Sequence, residues 1–213
     1  IYGDSAKGSG TSYVNNGIVN QSVWNWSSDY TSASRWLTVD EGAAAQNFGA
    51  VNVGVNVPKG GSTLTGVVLA NSSFVNEADG VMYLGRAAST DVVADPMAQG
   101  GEDVALPDGG TIIYALSGSS VANHGTLAIG DKVQGGRALW ASGTNVDVVN
   151  DGTITVKGHY SEAPLMNVGI ESQATSGVVK NAGTIDLQGT NNVGILATRG
   201  GHASTSGVVN VAG

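Results

Sequence analysis

Apolar residues recur along this chain in short alternating runs, such as Thr153-Ile154-Thr155-Val156 and Thr184-Ile185-Asp186-Leu187, in which the side chains between them are polar. A period of two is that of an extended strand with one buried face, and the 3.6-residue period of an amphipathic helix is absent. The runs follow a phrase in which an Asn stands two residues before a Gly: Asn15-Asn16-Gly17, Asn47-Phe48-Gly49, Asn123-His124-Gly125, Asn150-Asp151-Gly152 and Asn181-Ala182-Gly183. A degenerate copy, Asn76-Glu77-Ala78-Asp79-Gly80, falls between the second and the third. Successive glycines are 32, 31, 45, 27 and 31 residues apart, and a period near thirty predicts a solenoid.

Aligning the six copies on their glycines tests whether the repetition is structural. Two positions after the Gly stand Val19, Val51, Met82, Leu127, Ile154 and Ile185, all apolar. Four positions after it stand Gln21, Val53, Leu84, Ile129, Val156 and Leu187, and four before it stand Tyr13, Ala45, Asn76, Val121, Val148 and Val179. Each of these sets has one polar exception. A second apolar segment separates successive turns, as in Trp36-Leu37-Thr38-Val39, Ile112-Ile113-Tyr114-Ala115, Ala138-Leu139-Trp140-Ala141 and Gly169-Ile170-Glu171-Ser172. A third runs into the turn, as in Asp147-Val148-Val149.

Three short strands per repeat make one coil of an all-β parallel β-helix, and the spacing predicts about six to seven coils stacked at about 4.8 Å. The turn residues have an expected role. Asn tolerates left-handed backbone and Gly supplies positive φ without a steric penalty. Stacked asparagines can also bond one another from coil to coil.

Insertions in a solenoid map to loops outside its core, so interruptions of the repeat are where function is expected. The first, residues 24 to 36, crowds Trp24, Trp26, Tyr30 and Trp36 together. The second is the 45-residue interval, whose carboxylates Asp91, Asp95, Glu102, Asp103 and Asp108 have no base between them. The third is His159-Tyr160-Ser161-Glu162-Ala163-Pro164. The aromatic group reads either as an N-terminal cap over residues 1–40 or as a ligand platform, because Trp and Tyr faces stack on sugars or anchor protein interfaces. The acidic segment reads as a solvated contact loop; its oxygen chemistry is also what Ca²⁺ takes.

Composition narrows the function. The chain has 213 residues, 41% of them hydrophobic, with 33 Gly, no Cys and a formal charge of −8. That balance offers no footprint for nucleic acid or anionic lipid. No apolar run approaches the roughly 18 residues that span a bilayer, so direct membrane insertion is not expected. Without Cys there are no disulfides or thiolate metal sites. The final stretch Gly207-Val208-Val209-Asn210-Val211-Ala212-Gly213 reads as the approach to another turn, which predicts one β-helix domain over residues 1–213 that continues in a longer protein.

Catalysis is not expected. Glycosidic cleavage commonly needs two carboxylates about 5–10 Å apart, and acidic residues do not recur at equal offsets in the strands. Asp186 is matched by Thr155 and Ala128; Asp151 is matched by His124 and Ala182, where two solvated turn side chains are the simpler reading. The three histidines, His124, His159 and His202, lack metal-ligand spacing, and no metal or cofactor is expected. Tyr2-Gly3-Asp4-Ser5 only superficially resembles the nucleophile block of GDSL hydrolases, and the downstream Asp-x-x-His that would activate it is missing.

The phrase Val148-Val149-Asn150-Asp151-Gly152-Thr153-Ile154-Thr155-Val156 with Asn167-Val168-Gly169-Ile170, and its partner Asn181-Ala182-Gly183-Thr184-Ile185-Asp186-Leu187 with Asn192-Val193-Gly194-Ile195-Leu196, resembles the passenger repeats of bacterial type V autotransporters, most strongly the adhesin and self-associating kinds. The resemblance covers residues 121 to 213 well and the rest loosely, and its motifs are specific for the architecture rather than for one member. It implies a right-handed β-helix displayed outside the cell on a Gram-negative outer membrane. The function expected from it is a non-enzymatic adhesin passenger mediating adhesion, aggregation or biofilm formation. Its partners would be copies of itself on neighbouring cells, paired through ladders of Asn, Thr and Asp, or a host-surface protein or glycan. The alternatives are a glycan-binding module or polysaccharide-active β-helix, and a passive stalk for another domain.

Overall fold

The computed structural model describes residues 3–21, 34–55, 64–86, 105–106, 109–158 and 166–212. Their strands fall into seven triplets, one per coil, from Asp4–Lys7, Ser12–Asn15 and Ile18–Gln21 in the first to Val193–Ala197, Ser204–Thr205 and Val208–Val211 in the last. The first strand of every triplet joins one seven-stranded sheet, the second another, and the third another. Every pairing is parallel and links neighbouring coils, which is a parallel β-helix, as the spacing predicts.

Period-two alternation places one side chain per strand on the same inward spot in each coil. The first sheet stacks Leu37, Val67, Ile113, Leu139 and Ile170. The second stacks Ala45, Phe74, Val121, Val148 and Val179, and the third stacks Val51, Met82, Leu127, Ile154 and Ile185. These residues are buried in one continuous core. Burying a Val, Leu or Ile side chain is worth about 1.5–3 kcal/mol, and repeating the columns makes each coil a good floor for the next.

One column differs from the alignment on glycine. Asn76 pairs with Asn47, not with Ala45, so the residue that enters the core in that coil is Phe74. The two extra residues of the degenerate copy are absorbed within the turn, where the Gly80 amide donates to the Glu77 carbonyl at 2.8 Å. The core column is therefore apolar in all six coils that carry the phrase.

The asparagines form an internal ladder. Each Nδ2 donates to the Oδ1 of the next: Asn15 to Asn47 and Asn47 to Asn76 at 2.7 Å, Asn76 to Asn123 at 2.8 Å, Asn123 to Asn150 at 2.6 Å, and Asn150 to Asn181 at 2.7 Å. The ladder ends on the Thr205 hydroxyl at 3.2 Å. Nδ2 also donates to the turn glycine's carbonyl, as from Asn47 to Gly49 at 3.1 Å, so both donor hydrogens are used.

The expected backbone roles are corrected. Neither these asparagines nor Gly17, Gly49, Gly80, Gly125, Gly152 and Gly183 have positive φ. From the second coil on, the glycines are required because the coils touch there: a Cβ on Gly49, Gly152 or Gly183 would lie 2.1–2.2 Å from the carbonyl oxygen of the preceding coil's glycine. Left-handed backbone lies instead at the other two corners: between the first and second sheets at Glu41, Asn71, Asn145, Gly42, Gly118 and Gly177, and between the third and first at Gly54, Gly85, Gly109, Gly135 and Asn191.

Candidate functional site

The three corners of the coil are unequal. From the second sheet to the third the chain turns on the Asn-x-Gly phrase, as between Asn47 and Ala50. Four of the six connections from the third sheet back to the first are long, Gln21 to Ser34, Val53 to Leu64, Leu84 to Gly110 and Val156 to Val168, while Ile129 to Gly136 and Leu187 to Val193 are short. All three interruptions of the repeat thus attach to one edge, beside the first sheet. Insertions collect there because a loop leaving this corner does not disturb the Asn ladder or the glycine contacts.

Beside that edge the outward face of the first sheet carries the densest side-chain chemistry among the described residues. Strand register brings Val68, Tyr114, Trp140, Glu171 and Leu196 into one outward column. Tyr114 stacks on Trp140 with ring centroids 4.1 Å apart, and the Arg137 guanidinium lies 4.9 Å from the Trp140 centroid. Arg137 Nε donates to Glu171 Oε2, and Gln173 Nε2 donates to Glu171 Oε1 at 2.8 Å. Glu171 is only 5% exposed, so these two bonds keep a buried carboxylate solvated by protein. The result is a partly buried aromatic and apolar band whose cation is already neutralised.

Other polar contacts are local. His124 Nδ1 and Asp151 Oδ1 stand 2.6 Å apart at adjacent turns, so the two side chains, expected simply to be solvated, remain exposed but meet each other. On the third sheet Arg86 and Lys157 lie 5.2 and 6.0 Å from the centroid of Tyr83, in an outward column of Asn52, Tyr83, Ala128 and Thr155 that is shielded from solvent. In the first coil the Tyr13 hydroxyl donates to Asp4 Oδ2 at 2.7 Å. Partial burial first, then the Asp4 carboxylate as acceptor and charge, raises the Tyr13 phenol above its ordinary value.

Of the anticipated aromatic platform, Trp36 is 5% exposed and packs edge-on against Tyr13, with ring centroids 5.9 Å apart, as part of the core. Burial takes its ring away from any external sugar. Trp24, Trp26 and Tyr30 lie outside the described residues, as do Asp91, Asp95, Glu102, Asp103 and Asp108. The aromatic and ionic group that does form, Tyr114, Trp140, Arg137 and Glu171, was not singled out from the sequence. Its signal was there: Tyr114, Trp140 and Glu171 each follow an inward residue, Ile113, Leu139 or Ile170, and only an alignment of this second strand would have stacked them.

The expected inequivalence of the acidic residues also holds, since Asp186 stacks on Thr155 and Thr155 on Ala128. Among the described residues no three His, Asp or Glu side chains are grouped to hold a metal ion, and no helix is long and apolar enough to cross a membrane. A family model described as the BigA third pectate lyase-like domain matches residues 97–213. No curated protein and no solved structure matches the chain.

Proposed function

Because the chain belongs to the BigA third pectate lyase-like domain family, a bacterial surface protein domain, we propose that it is an adhesin domain that works by contact rather than by catalysis. The name of the family speaks for the fold, and the reading rests on where the chain departs from regularity. The observation that carries it is the convergence of every long insertion on the edge of the first sheet, next to the band of Tyr114, Trp140 and Leu196. A rigid rod with variable loops along one edge presents many contacts at once, and weak contacts in series give avidity. In this reading the domain is a passenger of the autotransporter kind, displayed on the outer membrane, and supports attachment, aggregation and biofilm growth.

The test is display of the full-length protein on otherwise non-adherent bacteria. Attachment to host cells and abiotic surfaces is measured with and without residues 87–104. Displaying cells should adhere, and the deletion should reduce adhesion while surface protein remains equal. Cells that neither adhere nor aggregate would refute the reading. Release of unsaturated or reducing ends from polygalacturonate by the purified protein would refute its non-catalytic part.

A glycan-binding surface is the second reading, favoured by the stacked, partly buried Tyr114 and Trp140 pair. The Arg137 charge is already paired with Glu171, which suits neutral sugars better than uronates. A glycan array probed with the wild type and Trp140→Ala separates this from protein recognition: loss of sugar binding with folding intact supports it.

A further inference from the structure

We propose that Asn16 is a site of spontaneous covalent modification, where the side chain cyclises onto the Gly17 nitrogen and reopens as aspartate or isoaspartate. The isoaspartate form breaks the register between the first two coils. This inference stands apart from the adhesive reading. The chain holds a single Asn-Gly dipeptide, and it forms the turn of the first coil, between Ser12–Asn15 and Ile18–Gln21. Asn16 fills the middle of the turn phrase, where later coils carry Phe48, His124, Asp151 and Ala182. Asparagine is thermolabile in proteins, and a following glycine leaves the attacking nitrogen unshielded.

The step requires only water. The Gly17 nitrogen attacks Asn16 Cγ and gives its proton to solvent, and the side-chain amide leaves as ammonia. A cyclic imide remains. Water then cleaves one of its two bonds to nitrogen. Breaking the bond to the side-chain carbonyl restores the ordinary backbone and leaves an aspartate. Breaking the bond to the main-chain carbonyl routes the backbone through Cβ and Cγ, one methylene longer, and leaves an isoaspartate. Both products carry a new carboxylate.

The structure leaves this turn open to the reaction and closes its counterparts. Asn16 is exposed, so water reaches the imide and ammonia can leave. Nothing comes closer than 4.0 Å to the point where a Cβ on Gly17 would stand. The Gly17 amide donates to a side chain, Asn15 Oδ1, at 3.1 Å. At Asp151-Gly152 and Asp79-Gly80 the same nitrogen is fixed to backbone: Gly152 donates to the Asn123 carbonyl and Gly80 to the Glu77 carbonyl, each at 2.8 Å. Those two turns are also covered by the preceding coil, where a Cβ on Gly80 or Gly152 would stand 2.4 or 2.2 Å from a carbonyl oxygen. Their Asp carboxylates, ionised at neutral pH, are poor electrophiles beside a neutral amide.

The extra methylene falls where the coils are matched. The carbonyls on either side of Asn16 both accept from the second coil: Phe48 donates to Asn15 at 2.8 Å and Ala50 to Gly17 at 2.9 Å. Lengthening the backbone between these acceptors, without lengthening the second coil's turn, prevents both bonds from being kept. The same change stretches the two bonds that tie the Asn15 side chain to Gly17, from the Gly17 amide to Oδ1 and from Nδ2 to the Gly17 carbonyl at 3.3 Å. Asn15 Nδ2 is also the donor to Asn47, so the loosening reaches the first bond of the ladder.

The purified protein, incubated at mildly alkaline pH both folded and unfolded in guanidinium, is labelled with protein isoaspartyl methyltransferase and mapped by tandem mass spectrometry. Isoaspartate should accumulate in the folded protein at position 16 ahead of Asp79 and Asp151. Asn16→Gln and Gly17→Ala should each lose this label. Gly17→Ala keeps the fold, because Gly17 has no positive φ and its Cβ position is open. In hydrogen exchange the isoaspartate fraction should lose protection at the Phe48 and Ala50 amides, while Asp151 and Thr153, which make the equivalent bonds in the fifth coil, keep theirs. The proposal is overturned if position 16 stays unlabelled in the folded protein over an incubation that labels it in the unfolded one, or if Asp79 or Asp151 is labelled first. An isoaspartate fraction whose Phe48 and Ala50 amides exchange as in fresh protein overturns the loss of register.

Discussion

Asn123 donates its side-chain amide to Asn150 across adjacent coils at 2.6 Å, and both side chains are fully buried. Asn123 is at the same time the acceptor for Asn76 at 2.8 Å. The amides all point the same way along the axis, so each bond polarises the next.

Removing one rung should therefore cost more than one hydrogen bond. Asn123→Ala strands the Asn76 donor and the Asn150 acceptor in a dry interior, and buried orphans cost about 1–3 kcal/mol each. Chemical denaturation should show a loss of about 2–5 kcal/mol, with Asn15→Ala, at the terminal rung that accepts from no further asparagine, losing less. Equal losses at the two positions would argue against a cooperative ladder.

The turn glycines should be intolerant for reasons of space alone. Gly152 has ordinary φ, yet a Cβ there would stand 2.2 Å from the Gly125 carbonyl oxygen. Gly152→Ala should lower the melting temperature sharply. Gly10→Asn should be mild despite a φ of 82°, because nothing lies within 4 Å of its Cβ position and Asn accepts left-handed backbone. Thermal melts of the two variants decide between steric contact and backbone conformation.

On the first sheet the Arg137–Glu171 pair should behave asymmetrically. Arg137→Ala leaves the buried Glu171 carboxylate with Gln173 as its remaining partner, whereas Glu171→Gln keeps an acceptor for a half-exposed arginine. The first should cost about 1–3 kcal/mol and the second less, read from denaturant midpoints. The reverse order would mean that packing against Trp140, not charge, holds the group together.

A pH dependence follows from Tyr13. Its folded phenol is raised above the ordinary value of about 10, so the unfolded chain loses that proton first as pH rises. The stabilising contribution is fully present below about pH 10 and is lost as pH rises through the folded value. Tyr13→Phe should remove this part of the alkaline decline while leaving neutral-pH unfolding two-state. An ultraviolet titration that shows every tyrosine ionising together would contradict it.

Much of this was legible in the chain because a β-helix writes its geometry twice, once as strand alternation and once as the thirty-residue repeat. Val121, Val148 and Val179 announce a buried column by recurring at one offset from a turn. The degenerate turn misled only at Asn76, where two extra residues shifted the count and the ladder, not the glycine, kept register. The ladder itself also changes the expected adhesive chemistry, since the repeated asparagines point inward and cannot be the contacts between neighbouring rods.

By itself, then, the sequence determined the strand period, the coil length and which side chains face inward, since these depend on spacing within one coil. Only the stacked structure decided why the glycines are glycine, which aromatics meet, and which side of the rod is open. Those depend on contacts between residues about thirty positions apart, such as Gly152 with Gly125 and Trp140 with Tyr114. No local pattern encodes the closeness of two coils; it arises from hydrogen bonds between parallel strands, which bring every coil to within about 4.8 Å of its neighbour.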